Sequence, residues 1–348
     1  MALAAGNQLR SSAACRLWAP ALLRCPRGAA ASRRGTAAAS ALHSSAPSGV
    51  HGGSPSSVRD QDRLQLNVEE KLGIPLDIYK AAGGLRVRQH VNPLKKELQV
   101  PTEPPAWSEV YADAGRPLVL DIGCGYGRFL LALNKKMPGH NMLGLEIREP
   151  IIERANKWAA SLGVTRSVLF LRGNATITLD HTLASFSGTI DLVCVQFPDP
   201  HFKARHRKRH TVQRQLVEAL GRLLAPGARV FLQSDVLEVA EYMRDSFEQH
   251  GAAWFAPCPQ LHTPDAVFHA ASEPRPAAAE QQAAQREQQQ PAEPQGVAAE
   301  QQEAQPAWRS LWAAAGWLQN NPLGVPTERE VLTTAQEQPV YRVMLRRL

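Results

Sequence analysis

A carboxylate set between two prolines and followed by a run of cations can hold a base and phosphates side by side. That pattern is present as Phe197-Pro-Asp-Pro-His-Phe-Lys-Ala-Arg-His-Arg-Lys-Arg-His210. Asp199 stands just beyond the apolar run Ile190 to Val195, and Lys203, Arg205, Arg207, Lys208 and Arg209 follow it closely. Cations of this density give affinity for phosphates without reading sequence. A proline-stiffened loop with a solvated basic face has the same composition, so the meaning of the stretch depends on what surrounds it.

A second chemical signal lies upstream, in Asp121-Ile122-Gly123-Cys124-Gly125-Tyr126-Gly127. Glycines at this spacing let a turn pass close to a ligand and present the amides of a following helix. A dinucleotide fingerprint requires a third glycine at the position of Arg128, so a nicotinamide enzyme is disfavoured. Glu146, nineteen residues beyond Gly127, is placed to accept the hydroxyls of an adenosyl ribose. Asn174 and Ala175 are placed to bond and pack against an adenine edge, although Asn174 also suits an ordinary Asx turn. An adenosyl ligand without a G-K-S/T phosphate loop points to S-adenosylmethionine and methyl transfer. For the acceptor, a carboxylate at Asp199 matches the N1 and N2 protons of guanine. Methylation of guanine N7 needs no general base, because the ring nitrogen carries a free lone pair. The site must orient the base in line and offset the charge that develops on the ring.

The elements that position these residues follow from hydrophobic pattern. Leu118 to Ile122, Met142 to Ile147, Val168 to Leu171, Ile190 to Val195 and Arg229 to Gln233 read as strands, with further strands near Trp254 and from Val340 to Leu345. Helices intervene: one after the glycine turn, one opened by Pro150 and closed by Gly163, one through Leu216 and Leu220 stopped at Pro226-Gly227, and one from Leu237 to Phe247. Trp308, Leu311, Trp312, Ala315 and Leu318 also have helical spacing. Alternating strand and helix predict an α/β doubly wound sheet, mostly parallel and seven-stranded, with helices on both faces. Ligands of such sheets sit at the carboxyl ends of the strands. Asp121, Glu146, Asn174, Asp199 and Asp235 all fall at predicted strand ends, which places five polar residues on one rim.

Composition bounds the rest. The formal charge of +7 is carried by residues 1–59, which hold seven arginines, no lysine and no acid; beyond them basic and acidic side chains balance at 32 each. Residues 1–58 have the Ala, Ser and Arg-rich, acid-free make-up of an organellar transit peptide. Residues 59–117 read as an N-terminal extension packed on the core, 118–271 as the core itself, and 307–348 as its completion. Between the last two, 272–306 are Gln, Ala, Glu and Pro with almost no large apolar side chains, the composition of a disordered insert. No run of about 18 apolar residues marks a membrane span. The five cysteines are scattered without a C-x-x-C pair, so neither a zinc site nor a disulfide framework is indicated.

With these residues in view, 84–348 without the insert resembles the bacterial, single-subunit tRNA (guanine-N7-)-methyltransferases. The stretch 197–210 is similar to that family's P-D-P-x-x-K-x-R-H-x-K-R-R signature. The resemblance implies a class I S-adenosylmethionine-dependent methyltransferase fold of Rossmann type, acting on N7 of a variable-loop guanosine, nucleotide 46, in tRNA. It makes Asp199 the catalytic residue and puts Asp121, Glu146 and Asn174 on cofactor-binding positions, beside Gly123, Gly125 and Ala175, which the residue chemistry above already assigns to the cofactor. It makes Lys203, His206, Arg209, Asp235, Thr327, Glu328, Arg329 and Glu330 the substrate-binding residues, with no metal and no obligate protein partner. Asp121 stands where many members have Glu, Asn174 where many have Asp, and His201 where Trp is common. The Arg86 to Pro93 segment and Pro322 to Glu330 look most like cyanobacterial and plastid members, which favours the chloroplast over the mitochondrion. Two other functions fit part of the sequence: a Rossmann methyltransferase with another acceptor, and a non-catalytic RNA-binding subunit that keeps the fold.

Overall fold

The computed structural model describes residues 91–200, 208–270 and 309–348. The transit peptide and insert assignments, Lys203, His206 and the basic stretch 86–90 lie outside the described residues.

Strands β1 (Leu118–Ile122), β2 (Asn141–Glu146), β3 (Val168–Arg172), β4 (Ile190–Gln196) and β5 (Arg229–Ser234) form the parallel part of a seven-stranded sheet. β6 (Phe255–Pro257) and β9 (Tyr341–Arg347) complete it in the order β3-β2-β1-β4-β5-β9-β6, with β9 antiparallel to both neighbours. Each of the five residues of β1 is buried, as expected of a strand covered on both faces. Side chains alternate between two apolar layers. Leu118, Leu120, Ile122, Val193 and Val195 join one; Val119, Leu192, Cys194, Phe231 and Met344 join the other.

Helices α1 (Trp107–Val110), α2 (Arg128–Lys136), α3 (Glu149–Ser161), α4 (Ala175–Leu183), α5 (Arg214–Leu223), α6 (Leu237–Gly251) and α7 (Glu328–Ala335) cover these faces. The chain winds outward from β1 through β2 to β3, then returns to place β4 on the other side of β1. The strand order therefore reverses between β1 and β4, and a crevice opens there at the carboxyl ends. Ahead of β1, Trp107 and Tyr111 stack at 5.8 Å against the edge of Phe186, and the Tyr111 hydroxyl donates to Met142 O at 3.0 Å.

Two local expectations change. The helical spacing from Trp308 to Leu318 yields only a 3-10 turn at Trp312–Ala315, because Gly316 adopts φ 66° and ends it. Trp317–Leu318 then forms β8, paired antiparallel with β7 (Val267–Phe268). Conversely, α4 has weak helical patterning in sequence and is secured by a cap: Asn174 Oδ1 accepts from Thr176 N at 3.3 Å.

Close backbone packing at the crevice depends on one glycine of β2. A Cβ on Gly144 would lie 2.5 Å from Phe170 and 2.7 Å from Cys124 Sγ. Gly144→Ala should cost about 1–3 kcal/mol by overpacking, whereas at Gly139, where an added Cβ meets nothing within 4 Å, alanine should stay within about 0.5 kcal/mol. Equal urea midpoints for the two variants would refute this.

Candidate functional site

The chain leaves β1 through a turn that cannot be built from ordinary residues. Gly123, Gly125 and Gly127 take φ of 78°, 52° and 73°, in the left-handed region that side chains avoid. Gly123 N and Cys124 N donate to Leu145 O at 2.8 and 3.0 Å, which pins the turn to β2. A Cβ added at Gly123 or Gly125 would meet nothing within 4 Å, so one side of the turn is open. Gly127 is different: a Cβ there would lie 2.4 Å from Phe170. Arg128 follows as a buried residue that pairs with Glu328 at 2.8 Å and lies over the Trp158 ring.

A cleft of ≈ 430 Å³ occupies the crevice. Gly123, Glu146, Asn174, Ala175, Asp199 and Arg209 line it, so six of the predicted site residues share one cavity. Glu146 is buried, and its Oε1 accepts from Ile147 N, Arg148 N and Arg148 Nε at 2.8, 3.1 and 3.0 Å, while Oε2 takes Arg148 Nη2 at 2.8 Å. Asn174, besides capping α4, donates through Nδ2 to Pro93 O at 3.4 Å. Val91, Pro93, Leu94 and Gln99 form the outer wall on that side. Thr102 anchors this segment by donating to Arg172 O at 2.6 Å and accepting at its carbonyl from Thr182 Oγ1.

Asp199 reaches the cleft through a strained exit. Phe197 has φ 48°, rare for a bulky residue, and its N–H donates to Gln233 O at 2.8 Å. The turn that follows places Asp199 exposed on the cleft edge, close enough to Arg148 to favour that guanidinium's charged form. Across the cleft, the His210 ring meets the Tyr242 ring at 4.1 Å, and Gln213 Nε2 donates to the carbonyls of Lys208 and His210.

The remaining predicted residues sit beside or beneath the cleft. Asp121 lies behind Gly123, 3% exposed, and accepts from Gln196 Nε2 at 3.3 Å. Burial pushes its carboxyl up to about 7; the Gln196 amide pulls down and the nearby Glu146 adds to the rise. Gly125 belongs to the turn without lining the cavity. Asp235 and the Thr327 to Glu330 segment form a neighbouring cluster: Arg329 Nε to Asp235 Oδ2 at 2.8 Å, Thr333 Oγ1 to the same oxygen at 3.5 Å, and Thr327 Oγ1 accepting from Glu330 N at 3.1 Å. Sequence reasoning missed Arg148, Gln196, Gln233 and Arg342. The two glutamines carried a usable signal, since each is a polar residue closing an apolar strand. Among the described residues no group of three or more His, Cys, Asp or Glu is placed to hold a metal ion, and no helix is long and apolar enough to cross a membrane.

Comparison with known proteins agrees with this architecture. A family model described as "Putative methyltransferase" matches residues 115–291. A protein of Synechococcus sp. (strain JA-3-3Ab) named tRNA (guanine-N(7)-)-methyltransferase is 52% identical over 182 residues, 52% of this chain and 75% of that protein. Two others of the same name extend the likeness. One from Synechococcus sp. (strain JA-2-3B'a(2-13)) is 39% identical over 79% of this chain and 89% of its own length. One from Synechococcus elongatus (strain ATCC 33912 / PCC 7942 / FACHB-805) is 41% identical over 75% and 95%.

The raised Asp121 carboxyl has a measurable sign. Folded protein keeps a proton on Asp121 between the usual value of 3.8 and about 7, where the unfolded chain has lost it. Stability therefore falls as pH rises through that window, by up to roughly 1.4 kcal/mol per unit. Asp121→Asn should gain on the wild type from acid to neutral pH and level off above about 7, as read from urea unfolding. A difference that stays constant across the window would show that Asp121 ionises normally.

Proposed function

The chain belongs to the tRNA (guanine-N(7)-)-methyltransferase family, and from that premise we propose that it transfers a methyl group from S-adenosylmethionine to N7 of a guanosine in tRNA, at nucleotide 46 of the variable loop. The observation that carries this reading is the convergence of Glu146, Asn174 and Asp199 on one cleft at the strand-order reversal.

The residues present fit the cofactor. The open glycine turn leaves room for a ligand against the backbone, Glu146 offers a carboxylate to ribose hydroxyls, and Asn174 with Ala175 borders the position for an adenine edge. Asp121 contributes negative charge beneath the turn once ionised. When bound, S-adenosylmethionine supplies an electrophilic methyl group on a sulfonium centre. Arg148, which holds both Glu146 oxygens in this structure, must share that carboxylate with a ribose.

Asp199 holds the acceptor. Its two oxygens match the N1 and N2 protons of guanine, which orients N7 and offsets the charge that grows on the ring. No proton leaves N7, so the carboxylate acts by position and charge. Arg209 at the cleft, with Lys203 and His206, binds the RNA backbone, and recognition rests on tRNA shape plus one guanine splayed into the pocket. Asp235 and Thr327 to Glu330 shape the acceptor side. The cyanobacterial source of the relatives supports a plastid location for residues 1–58 as a transit peptide.

Three outcomes test the proposal. Full-length protein with labelled S-adenosylmethionine and organellar tRNA should create a site for borohydride and aniline cleavage at N7-methylguanosine; cofactor binding without cleavage would leave a non-catalytic RNA-binding subunit. Asp199→Ala should lower kcat by about 10²–10³ with tRNA affinity within a few-fold of wild type, and equal loss of both would make Asp199 structural. Residues 1–59 fused to a fluorescent protein should enter chloroplasts, and mitochondrial import would correct the location.

A further inference from the structure

Three side chains lie in register across β4, β5 and β9: Gln196 opposite Gln233, and Gln233 opposite Arg342. All are buried, Gln233 fully. Arg342 Nε donates to Gln233 Oε1 at 3.2 Å, Gln233 Nε2 donates to Gln196 Oε1 at 2.7 Å, and Gln196 Nε2 donates to Asp121 Oδ1 at 3.3 Å. The direction of this row is set from its far end. A guanidinium only donates, so Gln233 must turn its oxygen to Arg342 and its amide N–H₂ toward Gln196. Glu330, from α7, reinforces the choice. Its Oε2 also accepts from Gln233 Nε2 at 3.3 Å, and the carboxylate is itself held by Arg342 Nη2 at 2.9 Å and Asn321 Nδ2 at 2.8 Å. With Gln233 so fixed, Gln196 must present its oxygen to Gln233, and only its N–H₂ remains for Asp121. Turning Gln233 over would set like against like at a fully buried residue, and turning Gln196, which lines the cleft, would lose its bonds to both Gln233 and Asp121.

We infer that Arg342, Gln233 and Gln196 are positioning residues, a one-way hydrogen-bond relay that fixes which end of an amide meets Asp121 and thereby sets the protonation of that carboxylate from three strands away. The inference rests on the reading that Asp121 faces the cofactor. An N–H at Asp121 favours its charged form against desolvation. The other groups facing Asp121 are Glu146 from β2, whose charge opposes ionisation, and the thiols of Cys124 in the glycine turn and Cys194 on β4; Arg148 lies beyond Glu146. Burial raises this carboxyl, and the relay opposes that rise and favours ionisation beneath a cationic ligand. It also gives Glu330 a role apart from substrate contact, since both of its oxygens are engaged inside the protein.

The test reads Asp121 directly, from carboxyl carbon resonances of the full chain labelled at aspartate and titrated from about pH 4 to 9. Gln196→Leu removes the donor, and Gln233→Leu leaves Gln196 free to turn its oxygen inward. Each should raise the Asp121 midpoint by about one unit, a tenfold change in proton affinity. Gln233→Met, close in volume to the native side chain and uncharged, likewise offers no N–H to Gln196, so it should give the same shift and serves where a leucine variant does not fold. A midpoint that stays within about 0.2 unit of wild type in both positions would overturn the relay. S-adenosylhomocysteine affinity measured over the same range separates the premise. PH-independent binding that is equal in wild type and Asp121→Asn would show that Asp121 does not face the cofactor, whereas the carboxyl midpoints judge the relay on their own.

Discussion

A polar side chain on a strand covered from both sides has no water to turn to, and this constraint organises the floor of the cleft. Asp121, Gln196, Gln233, Arg342 and Glu330 are all buried, and each is satisfied by the next rather than by solvent. Leaving any one unpaired would cost about 1–3 kcal/mol, more for the charged members. Such a row tolerates little slippage, because moving β4 against β5 would break the Gln196 to Gln233 contact together with the ladder. The exit of β4, the exit of β5 and the start of α7 are thereby held as one unit beneath the cleft. Arg128 and Glu328 make a second tie between α7 and the helix that follows the glycine turn.

Above that floor the construction changes character. The walls come from segments distant in sequence: 91–99, anchored through Thr102 and Asn174, and 208–215, braced internally by Gln213 and set against the body by His210 on Tyr242 and by buried Val212. Among the described residues, several of their side-chain bonds run to backbone carbonyls. Asp199 stands between them on the open edge. A bonded base with walls drawn from separate segments suits a site that binds a small ligand against its floor and a large folded one across its mouth.

Much of this was legible in sequence because period and position carry it. Continuous apolar runs named the parallel strands, and polar residues were read at their ends; Gly123, Glu146, Asn174, Ala175, Asp199 and Arg209 line one cavity. What sequence withheld was pairing at long range. Gln233 and Arg342 are 109 residues apart, and nothing local announces that a guanidinium on an antiparallel strand will orient an amide. Local conflict misled as well. Apolar residues from Leu311 to Leu318 fit a helical period, yet they form a 3-10 turn that ends at Gly316, with φ 66°, and a two-residue strand, Trp317–Leu318. Asn174 was readable both as a ligand contact and as an Asx turn, and its oxygen caps α4 while it borders the cleft.

Phe197 stands apart from this consistency. A left-handed aromatic residue costs roughly 1–2 kcal/mol relative to glycine at the same place, and the chain bears that cost at the step between β4 and its exposed aspartate. Glycine would relieve the strain, but it would also widen the backbone's freedom where the direction of Asp199 is decided. With phenylalanine there, thermal stability and aim are set against each other at a single residue, so a change that relieved the strain would fall on the position where accuracy is most easily lost.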